Sequence, residues 1–169
     1  MKRLGILRHA QAAPSAAGFD DFNRPLTALG KAVAQRLGEQ LKSLNLGFDL
    51  VLASPARRVR ETVDGLCLGL GEVPVRFEQS FCLATEADLR DCLRTQTDGL
   101  DSLLMVGHNP AIGQLAIDLA DRDDPRLLDL MRGFPTATFA LLEFAVDSWA
   151  QVVPGRAAIA RLILANARS

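Results

Sequence analysis

Short apolar runs and amphipathic segments alternate along the first two thirds of the chain. An apolar run bounded by turn residues predicts a buried strand, and apolar side chains at helical spacing predict a helix. The predicted strands in this part are 3–7, 49–53, 73–77 and 103–106. The predicted helices are 28–44, 56–68, 86–96 and 110–119. This alternation is typical of a sheet with helices packed against it.

The helix over 28–44 carries the clearest signals. Thr27 is a suitable N-cap, Gly47 follows the end of the helix, and the preceding segment 10–26 contains the proline and glycine residues of a loop. One apolar stripe at spacings of three and four residues consists of Leu29, Val33, Leu37, Leu41 and Leu44. We expect this stripe to face the core.

The last third of the chain changes character. A charged connection at 121–136 contains one predicted helical turn at 127–131, and strands are predicted at 138–146, near 150–153 and at 157–164. The whole pattern predicts the α/β class: a three-layer α/β/α sandwich with a mixed, mostly parallel central sheet. We expect a single domain over 1–169, a usual domain size.

Composition excludes several classes of protein. The chain has 169 residues, 49% of them hydrophobic, and a formal net charge of −1, which argues against a general nucleic-acid binder or a polybasic membrane clamp. Arg8 interrupts the N-terminal apolar run, so no signal peptide is predicted, and no stretch reaches the about 20 apolar residues of a membrane span. A soluble cytoplasmic protein is expected, and nothing demands an assembly larger than a monomer.

Polar and basic residues follow three of the predicted strands. Arg8 and His9 end the first, Ser54 to Arg58 follow the second, and Gly107, His108 and Asn109 follow the strand at 103–106. Ligands bind outside the carboxyl ends of parallel strands. The two histidines of the chain are therefore both expected at one crevice.

The chemistry of these residues favours an anion. A buried guanidinium such as that of Arg8 needs a compensating anion, and its planar fork suits phosphate oxygens. Arg57, Arg58 and Arg60 cannot all face one side of a helix, and position alone does not choose among them. Two histidines without a carboxylate cluster make a poor metal site, so no metal and no cofactor is expected.

Several segments in order resemble a known family. LRHA at 7–10, SPARRVRET at 54–62 and VGHNP at 106–110 resemble the histidine phosphatase superfamily, also called phosphoglycerate mutase-like. NRPLTALG at 23–30 and FPTATFALLEF at 134–144 are similar to its short SixA-type phosphohistidine phosphatases. Ala10 stands where the family has glycine. The resemblance implies the phosphoglycerate mutase-like fold.

The resemblance also implies roles for individual residues. His9 would be the nucleophile that carries the phosphoryl group, and Arg8 would bind that group. The Ser-x-x-x-Arg motif, counted from Ser54, assigns the catalytic arginine to Arg58. His108 would be the second imidazole of the pocket.

Two further polar residues and one acid have weaker assignments. Gln11 and Asn109 are adjacent to the motifs and are expected to bind substrate. Larger family members carry a carboxylate general acid after the third strand, where this chain has Phe81-Cys82-Leu83. Glu86 could substitute as general acid, although the first turn of a helix is an ordinary place for Glu86 and Asp88.

The implied function is that of a phosphatase. The absent general acid favours a phosphohistidine substrate, because the leaving imidazole is less basic than an alkoxide. The expected partner is a phosphohistidine-bearing protein such as a histidine phosphotransfer domain. The alternatives are a phosphomonoesterase for sugar, nucleotide or cofactor esters, and an inactive phosphate-binding interaction module.

Overall fold

The computed structural model describes residues 1–15, 18 and 20–164 and contains one six-stranded sheet. The strands are β1 Lys2–Arg8, β2 Leu50–Ala53, β3 Val75–Phe77, β4 Ser102–Gly107, β5 Phe139–Phe144 and β6 Ala158–Ile163. The helices are α1 Ala28–Ser43, α2 Arg57–Leu70, α3 Glu86–Arg94, α4 Ala111–Leu119 and α5 Leu127–Met131. Within 10–26, residues 16, 17 and 19 lie outside the described part, as do 165–169 at the end of the predicted domain.

The sheet is mixed and mostly parallel, as predicted. Its order is β3-β2-β4-β1-β5-β6, with β1 and β2 both parallel to β4. Strand β5 pairs antiparallel with both β1 and β6. Because β1, β2 and β4 are neighbours and point the same way, their carboxyl ends lie side by side.

Helices cover both faces of the sheet, which confirms the three-layer sandwich. Side chains alternate along β1, so Leu4 and Ile6 face one core while Leu7 faces the other. The first core takes buried residues from α3, α4 and α5, and the second takes them from α1 and α2. The central strands are apolar on both faces, as expected for buried parallel strands.

The helix α1 begins where the sequence predicts, and Leu37 and Leu41 of the predicted apolar stripe are buried. The Thr27 side chain accepts a hydrogen bond from the Gly30 amide, as an N-cap does. Leu29, however, is 56% exposed, so its assignment to the core stripe is wrong. Small residues of α1 are buried where this helix lies close to α2. A Cβ on Gly38, for example, would fall 2.1 Å from the Leu66 carbonyl oxygen.

The predicted strand near 150–153 is also wrong. Trp149–Gln151 forms a short 3₁₀ helix, capped by the Ser148 side chain. The buried Trp149 indole donates to the Leu100 carbonyl at 2.7 Å, which ties this turn to the segment before β4. A short, mostly apolar stretch does not by itself separate a strand from such a turn. None of the described helices is both long and apolar enough to cross a lipid bilayer.

Candidate active site

The carboxyl ends of three parallel strands meet at the predicted crevice. The His9 amide donates to the Gly107 carbonyl at 3.1 Å, and the Ser54 amide donates to the Val106 carbonyl at 3.2 Å. These bonds continue the sheet ladder past β1 and β2. They place the side chains that follow each strand around one point.

His9 is held in one orientation by its own neighbour. The imidazole is 7% exposed, and its Nδ1 lies 2.7 Å from the Ala10 carbonyl oxygen. A carbonyl oxygen only accepts, so Nδ1 carries the hydrogen and donates. In the neutral ring, the lone pair is then on Nε2, which leaves that atom free to act as a nucleophile.

The surroundings keep His9 neutral. Burial is the main cause that lowers its pKa to about 3, and the positive charges of Arg58 and Arg8 act in the same direction, as does His108. The hydrogen bond to Ala10 opposes this shift. At neutral pH, the ring is therefore unprotonated, as nucleophilic attack requires.

His108 faces His9 across the crevice. The two ring centroids are 5.5 Å apart, and the pKa of His108 is lowered to about 4, mainly by burial and then by the charge of Arg58. Its Nε2 lies 2.9 Å from the Ser54 hydroxyl, which accepts from the Ala56 amide at 3.3 Å. We assign the Ser54 proton to the bond with Nε2, so that Nδ1–H of His108 remains as a donor.

Three buried donors of this site have no partner. Among the described residues, buried side-chain atoms without a hydrogen bond include Arg8 Nε, Arg58 Nε and His108 Nδ1. Buried polar groups are almost always paired, so a cluster of unpaired donors indicates a place for an acceptor-rich ligand. A phosphoryl group supplies acceptor oxygens and the negative charge that two guanidinium groups compensate.

The other ends of both guanidinium groups are anchored. Arg8 Nη1 donates to the Phe134 carbonyl at 3.1 Å. Arg58 is 7% exposed and donates to Asp21 through both terminal nitrogens, at 2.5 Å to the main-chain oxygen and 3.1 Å to Oδ2. Anchored guanidinium groups lose little freedom when they bind a ligand.

Of the three neighbouring arginines, only Arg58 is buried, and its positive charge lowers the pKa of both His9 and His108. Arg57 pairs with Glu61 on the surface at 2.9 Å. Arg60 donates to the Pro55 carbonyl at 2.8 Å and stacks on the Phe77 ring at 3.9 Å. The geometry therefore selects the same arginine as the family motif.

Gln11 and Asn109 make structural bonds within the protein. Gln11 Oε1 accepts from the Thr27 hydroxyl at 2.8 Å, which links the loop after β1 to the start of α1. Asn109 Nδ2 donates to the Phe134 carbonyl at 2.8 Å, the same oxygen that Arg8 uses. Both residues support the loops around the crevice, and their predicted contact with substrate stays a prediction.

Glu86 and Asp88 lie in the first turn of α3. Asp88 accepts from the Thr85 amide and hydroxyl, both at 2.8 Å, in a capping box, and these bonds lower its pKa. Glu86 shows no hydrogen bond or ion pair with the described residues of the crevice. The structure thus gives Asp88 a capping role and adds no contact that would make Glu86 a general acid.

Three supporting residues had no role in the site assigned from the sequence. Besides Asp21 and Ser54, Thr62 accepts from the Ala10 amide at 3.0 Å and donates to the Arg58 carbonyl at 2.6 Å. It thereby joins Ala10, the residue after His9, to the helix that carries Arg58. The only sequence signal was position: Ser54 and Thr62 lie within the motif at 54–62, and Asp21 shortly before the one at 23–30.

A cavity of about 260 Å³ adjoins His108. Its walls come from residues 81–84, Leu89 and the turn at 107–111. Among the described residues that line it, none has an Asp, Glu, Lys or Arg side chain. The cavity offers space for an uncharged, largely apolar group beside the phosphoryl site.

The described residues contain no group of three or more His, Cys, Asp or Glu side chains that could hold a metal ion. The crevice itself presents imidazole and guanidinium groups. A neutral imidazole with an exposed lone pair can attack phosphorus, and the surrounding donors can stabilise the oxygens that gain charge.

The comparisons with known proteins agree with this geometry. The sequence model of the histidine phosphatase superfamily (branch 1) matches residues 4–82. An uncharacterized protein of Mycobacterium tuberculosis is 32% identical over 90% of this chain and 96% of its own. Phosphohistidine phosphatase SixA of Escherichia coli is 30% identical over 71% of this chain and 75% of its own.

Solved structures extend the likeness over the whole sheet. A crystal structure from Agrobacterium tumefaciens, described as a candidate SixA phosphohistidine phosphatase, superposes with a TM-score of 0.82. It is 26% identical, and the match covers 96% of this chain and 97% of that chain. With the motifs, the crevice and these relatives in agreement, the chain belongs to the histidine phosphatase superfamily, and it is a phosphatase of the phosphoglycerate mutase-like fold.

Proposed function

We propose that this phosphatase removes the phosphoryl group from phosphohistidine on a protein, through a phospho-His9 intermediate. The observation that carries the proposal is the pairing of a buried, neutral imidazole with unpartnered donors from Arg8, Arg58 and His108. A nucleophile beside a ready-made oxyanion cradle suits phosphoryl transfer, which depends on positioning and charge stabilisation.

The reaction proceeds in two displacements. In the first, the substrate is phosphohistidine with its other ring nitrogen protonated. His9 Nε2 forms a bond to phosphorus while the bond from phosphorus to the substrate nitrogen breaks, and its electron pair leaves with a neutral imidazole. In the second, water attacks phosphorus, the bond to Nε2 breaks, and orthophosphate forms. Arg8, Arg58 and His108 hold the phosphoryl oxygens throughout, and each such donor typically contributes about a hundredfold or more in rate.

The leaving group decides between substrate classes. An alkoxide needs a proton from a general acid, and this help is worth about 10²–10⁴ in rate. A phosphohistidine ring that is protonated on its other nitrogen releases neutral imidazole, a better leaving group because its conjugate acid has a pKa of about 6.5. Glu86 makes no described contact with the crevice, which favours a substrate that needs no such acid.

The cavity beside His108 supports the same choice. It has room for an imidazole ring, and none of the described side chains that line it carries a permanent charge. The Escherichia coli relative is named a phosphohistidine phosphatase. By this reasoning, the partner is a phosphohistidine-bearing protein such as a histidine phosphotransfer domain.

The three cysteines are free thiols, which suits the reducing cytoplasm.

The test compares substrates and two neighbouring arginines. Initial rates are measured on a phosphorylated histidine phosphotransfer domain, an aryl phosphate and several sugar phosphates. We expect phosphohistidine to be strongly preferred, and His9→Ala to abolish turnover. Arg58→Gln should lose at least about a hundredfold, whereas Arg57→Gln, its surface neighbour, should retain activity.

Other outcomes separate the parts of the proposal. Preference for a sugar phosphate would keep the nucleophile and refute the substrate. Turnover that survives in His9→Ala would refute the intermediate. A wild-type protein that binds orthophosphate but hydrolyses nothing would indicate an interaction module.

A further inference from the structure

Asp21 contacts the catalytic arginine with two different groups. Its main-chain oxygen accepts from Arg58 Nη1 at 2.5 Å, and its carboxylate Oδ2 accepts from Arg58 Nη2 at 3.1 Å. Asp21 lies in the loop between β1 and α1, whereas Arg58 lies in the first turn of α2. The contact therefore joins two segments that are far apart in the sequence.

This contact occupies one edge of the guanidinium group and leaves another free. Arginine has five N–H donors in a rigid plane, so a bond to each terminal nitrogen fixes the whole plane. Arg58 Nε remains buried without a partner. The edge that contains Nε is thus available for phosphoryl oxygens while Asp21 holds the far end.

Asp21 is itself held in place. Its second carboxylate oxygen, Oδ1, pairs with Arg24 Nη2 at 3.2 Å, so one carboxylate bridges two arginines. The carbonyl of the next residue, Phe22, accepts from the Arg57 amide at 2.9 Å. The loop is consequently tied to the first turn of the helix that carries Arg58.

We propose that Asp21 is a positioning residue, which orients the Arg58 guanidinium so that its Nε edge faces the phosphoryl group. This inference rests on the proposed role of Arg58 in binding that group. The contrary reading is that Asp21 competes with phosphate for Arg58. The unpaired Nε favours positioning, since a competitor would occupy the edge that the ligand needs.

The contribution of Asp21 belongs to catalysis more than to stability. Its side chain is 73% exposed, and exposed ion pairs are weakened by solvent and salt. Its negative charge nevertheless reaches the crevice, since it raises the pKa of His108 against the larger effect of burial. A substitution at Asp21 should therefore change phosphoryl binding while the protein stays folded.

The experiment measures turnover and phosphate binding separately. Wild type, Asp21→Ala and Asp21→Asn are compared for kcat and KM on an aryl phosphate and for the Kd of orthophosphate by calorimetry. We expect Asp21→Ala to lower kcat/KM about tenfold, as loss of one charged hydrogen bond does, and to weaken orthophosphate binding. Asp21→Asn, which keeps an oxygen acceptor, should recover part of both.

Two controls separate positioning from general damage. Asp129→Ala removes a surface pair with Arg132 on α5, and it should match wild type in every measurement. In an Arg58→Lys background, adding Asp21→Ala should change kcat/KM less than twofold, because the group that Asp21 orients is gone. Equal melting temperatures show that the variants are folded.

Contrary results are distinct from failure of the proposed function. Wild-type values of kcat/KM and Kd in Asp21→Ala would overturn the inference, and tighter orthophosphate binding in that variant would show competition instead. Both readouts are independent of whether phosphohistidine is the substrate. A wild-type protein that neither hydrolyses the aryl phosphate nor binds orthophosphate would refute the proposed function together with this inference.

Discussion

The Nδ1 atom of His9 donates a hydrogen bond to the carbonyl oxygen of Ala10, 2.7 Å away. Ala10 is completely buried, and its amide is fixed in turn by Thr62. The ring of the nucleophile therefore has a defined tautomer before any substrate arrives. This preorganisation removes the free-energy cost of orienting the His9 ring during the reaction.

The first prediction concerns the atom that carries the phosphoryl group. Because Nδ1 is engaged with Ala10, the intermediate should be phosphorylated on Nε2 of His9. The enzyme is quenched during turnover and denatured at alkaline pH, and ³¹P NMR distinguishes the two phosphohistidine isomers. Phosphate on Nδ1 would show that the His9 ring flips before it attacks phosphorus. The His9→Ala variant should give no phosphohistidine signal.

The second prediction concerns Ser54, which sets the tautomer of His108. Ser54→Ala removes the hydroxyl that donates to Nε2, so we expect the Nδ1–H donor of His108 to be lost from part of the molecules. A hydrogen bond of about 1 kcal/mol corresponds to a roughly fivefold to tenfold fall in kcat/KM. Nitrogen-15 NMR of the imidazole reports the tautomer directly.

Ser43→Ala is the matched control for this substitution. Ser43 donates to the Gln40 carbonyl at the exposed end of α1 and should leave both the rate and the His108 spectrum unchanged. An unaltered His108 tautomer in Ser54→Ala would contradict the assigned role.

The third prediction is a loss of stability on mild acidification. The pKa values of His9 and His108 are lowered to about 3 and about 4 in the folded protein, so the unfolded chain binds more protons below its ordinary value of about 6.5. The free energy of unfolding should fall as pH drops from 6.5 toward 4.5, by up to about 1.4 kcal/mol per pH unit for each histidine.

Urea unfolding at several pH values measures this slope. His9→Gln removes one of the two groups and should flatten the dependence in that window, whatever its stability at pH 7. A slope identical to that of wild type would mean that His9 titrates normally in the folded state.

The fourth prediction tests the cavity beside His108. Leu83 is 95% exposed at its wall, and Leu83→Asp introduces a charge where the substrate protein would press an apolar surface. We expect kcat/KM for the phosphoprotein to fall about tenfold, at a desolvation cost of 1–2 kcal/mol. Inhibition by orthophosphate should not change, because the phosphoryl site is untouched.

Leu68→Asp provides the comparison. Leu68 is 76% exposed on α2 and lines a different cavity, between α1 and α2. Two results would argue against binding of the leaving group at the cavity wall formed by residues 81–84. One is an equal effect of the two substitutions, and the other is an effect of Leu83→Asp on inhibition by orthophosphate.

The fifth prediction concerns the contact between α1 and α2. Replacing a helical glycine by alanine usually stabilises a helix by up to about 1 kcal/mol. At Gly38 the added Cβ would meet the Leu66 carbonyl oxygen at 2.1 Å, so Gly38→Ala should instead destabilise by about 1–3 kcal/mol. Gly47→Ala, with nothing within 4 Å, should be nearly neutral in the same urea titration.

The pattern of apolar and polar residues within short windows of sequence was sufficient to predict most strands of the sheet. The apolar runs that became β1, β2 and β4 are continuous because both faces of a central parallel strand are buried. The order of those runs, with a polar residue after each, already predicted that His9, Ser54 and His108 would share one edge. The family motif then selected Arg58 by counting.

Local pattern failed where packing or capping decided the outcome. Leu29 satisfies a helical stripe, yet it is exposed because α1 approaches α2 along small residues such as Gly38. The segment at 150–153 is mostly apolar, as a short strand often is, yet Trp149–Gln151 forms a 3₁₀ helix with the Trp149 ring buried and Ser148 as the cap. Neither contact is visible within a short window of sequence.

The sequence by itself determined the fold class, the strand ends and the residue types that gather there, because periodicity and motif spacing are local properties of the chain. The tertiary structure decided which atoms of these residues are hydrogen-bonded within the protein and which are free to bind or react. The Nδ1 bond to Ala10 leaves Nε2 of His9 free. Ser54 bonds to His108 and Asp21 bonds to Arg58, and both contacts join distant segments. The folded backbone sets all of these distances. Burial does the rest, since it is the loss of water around both imidazoles that keeps them neutral.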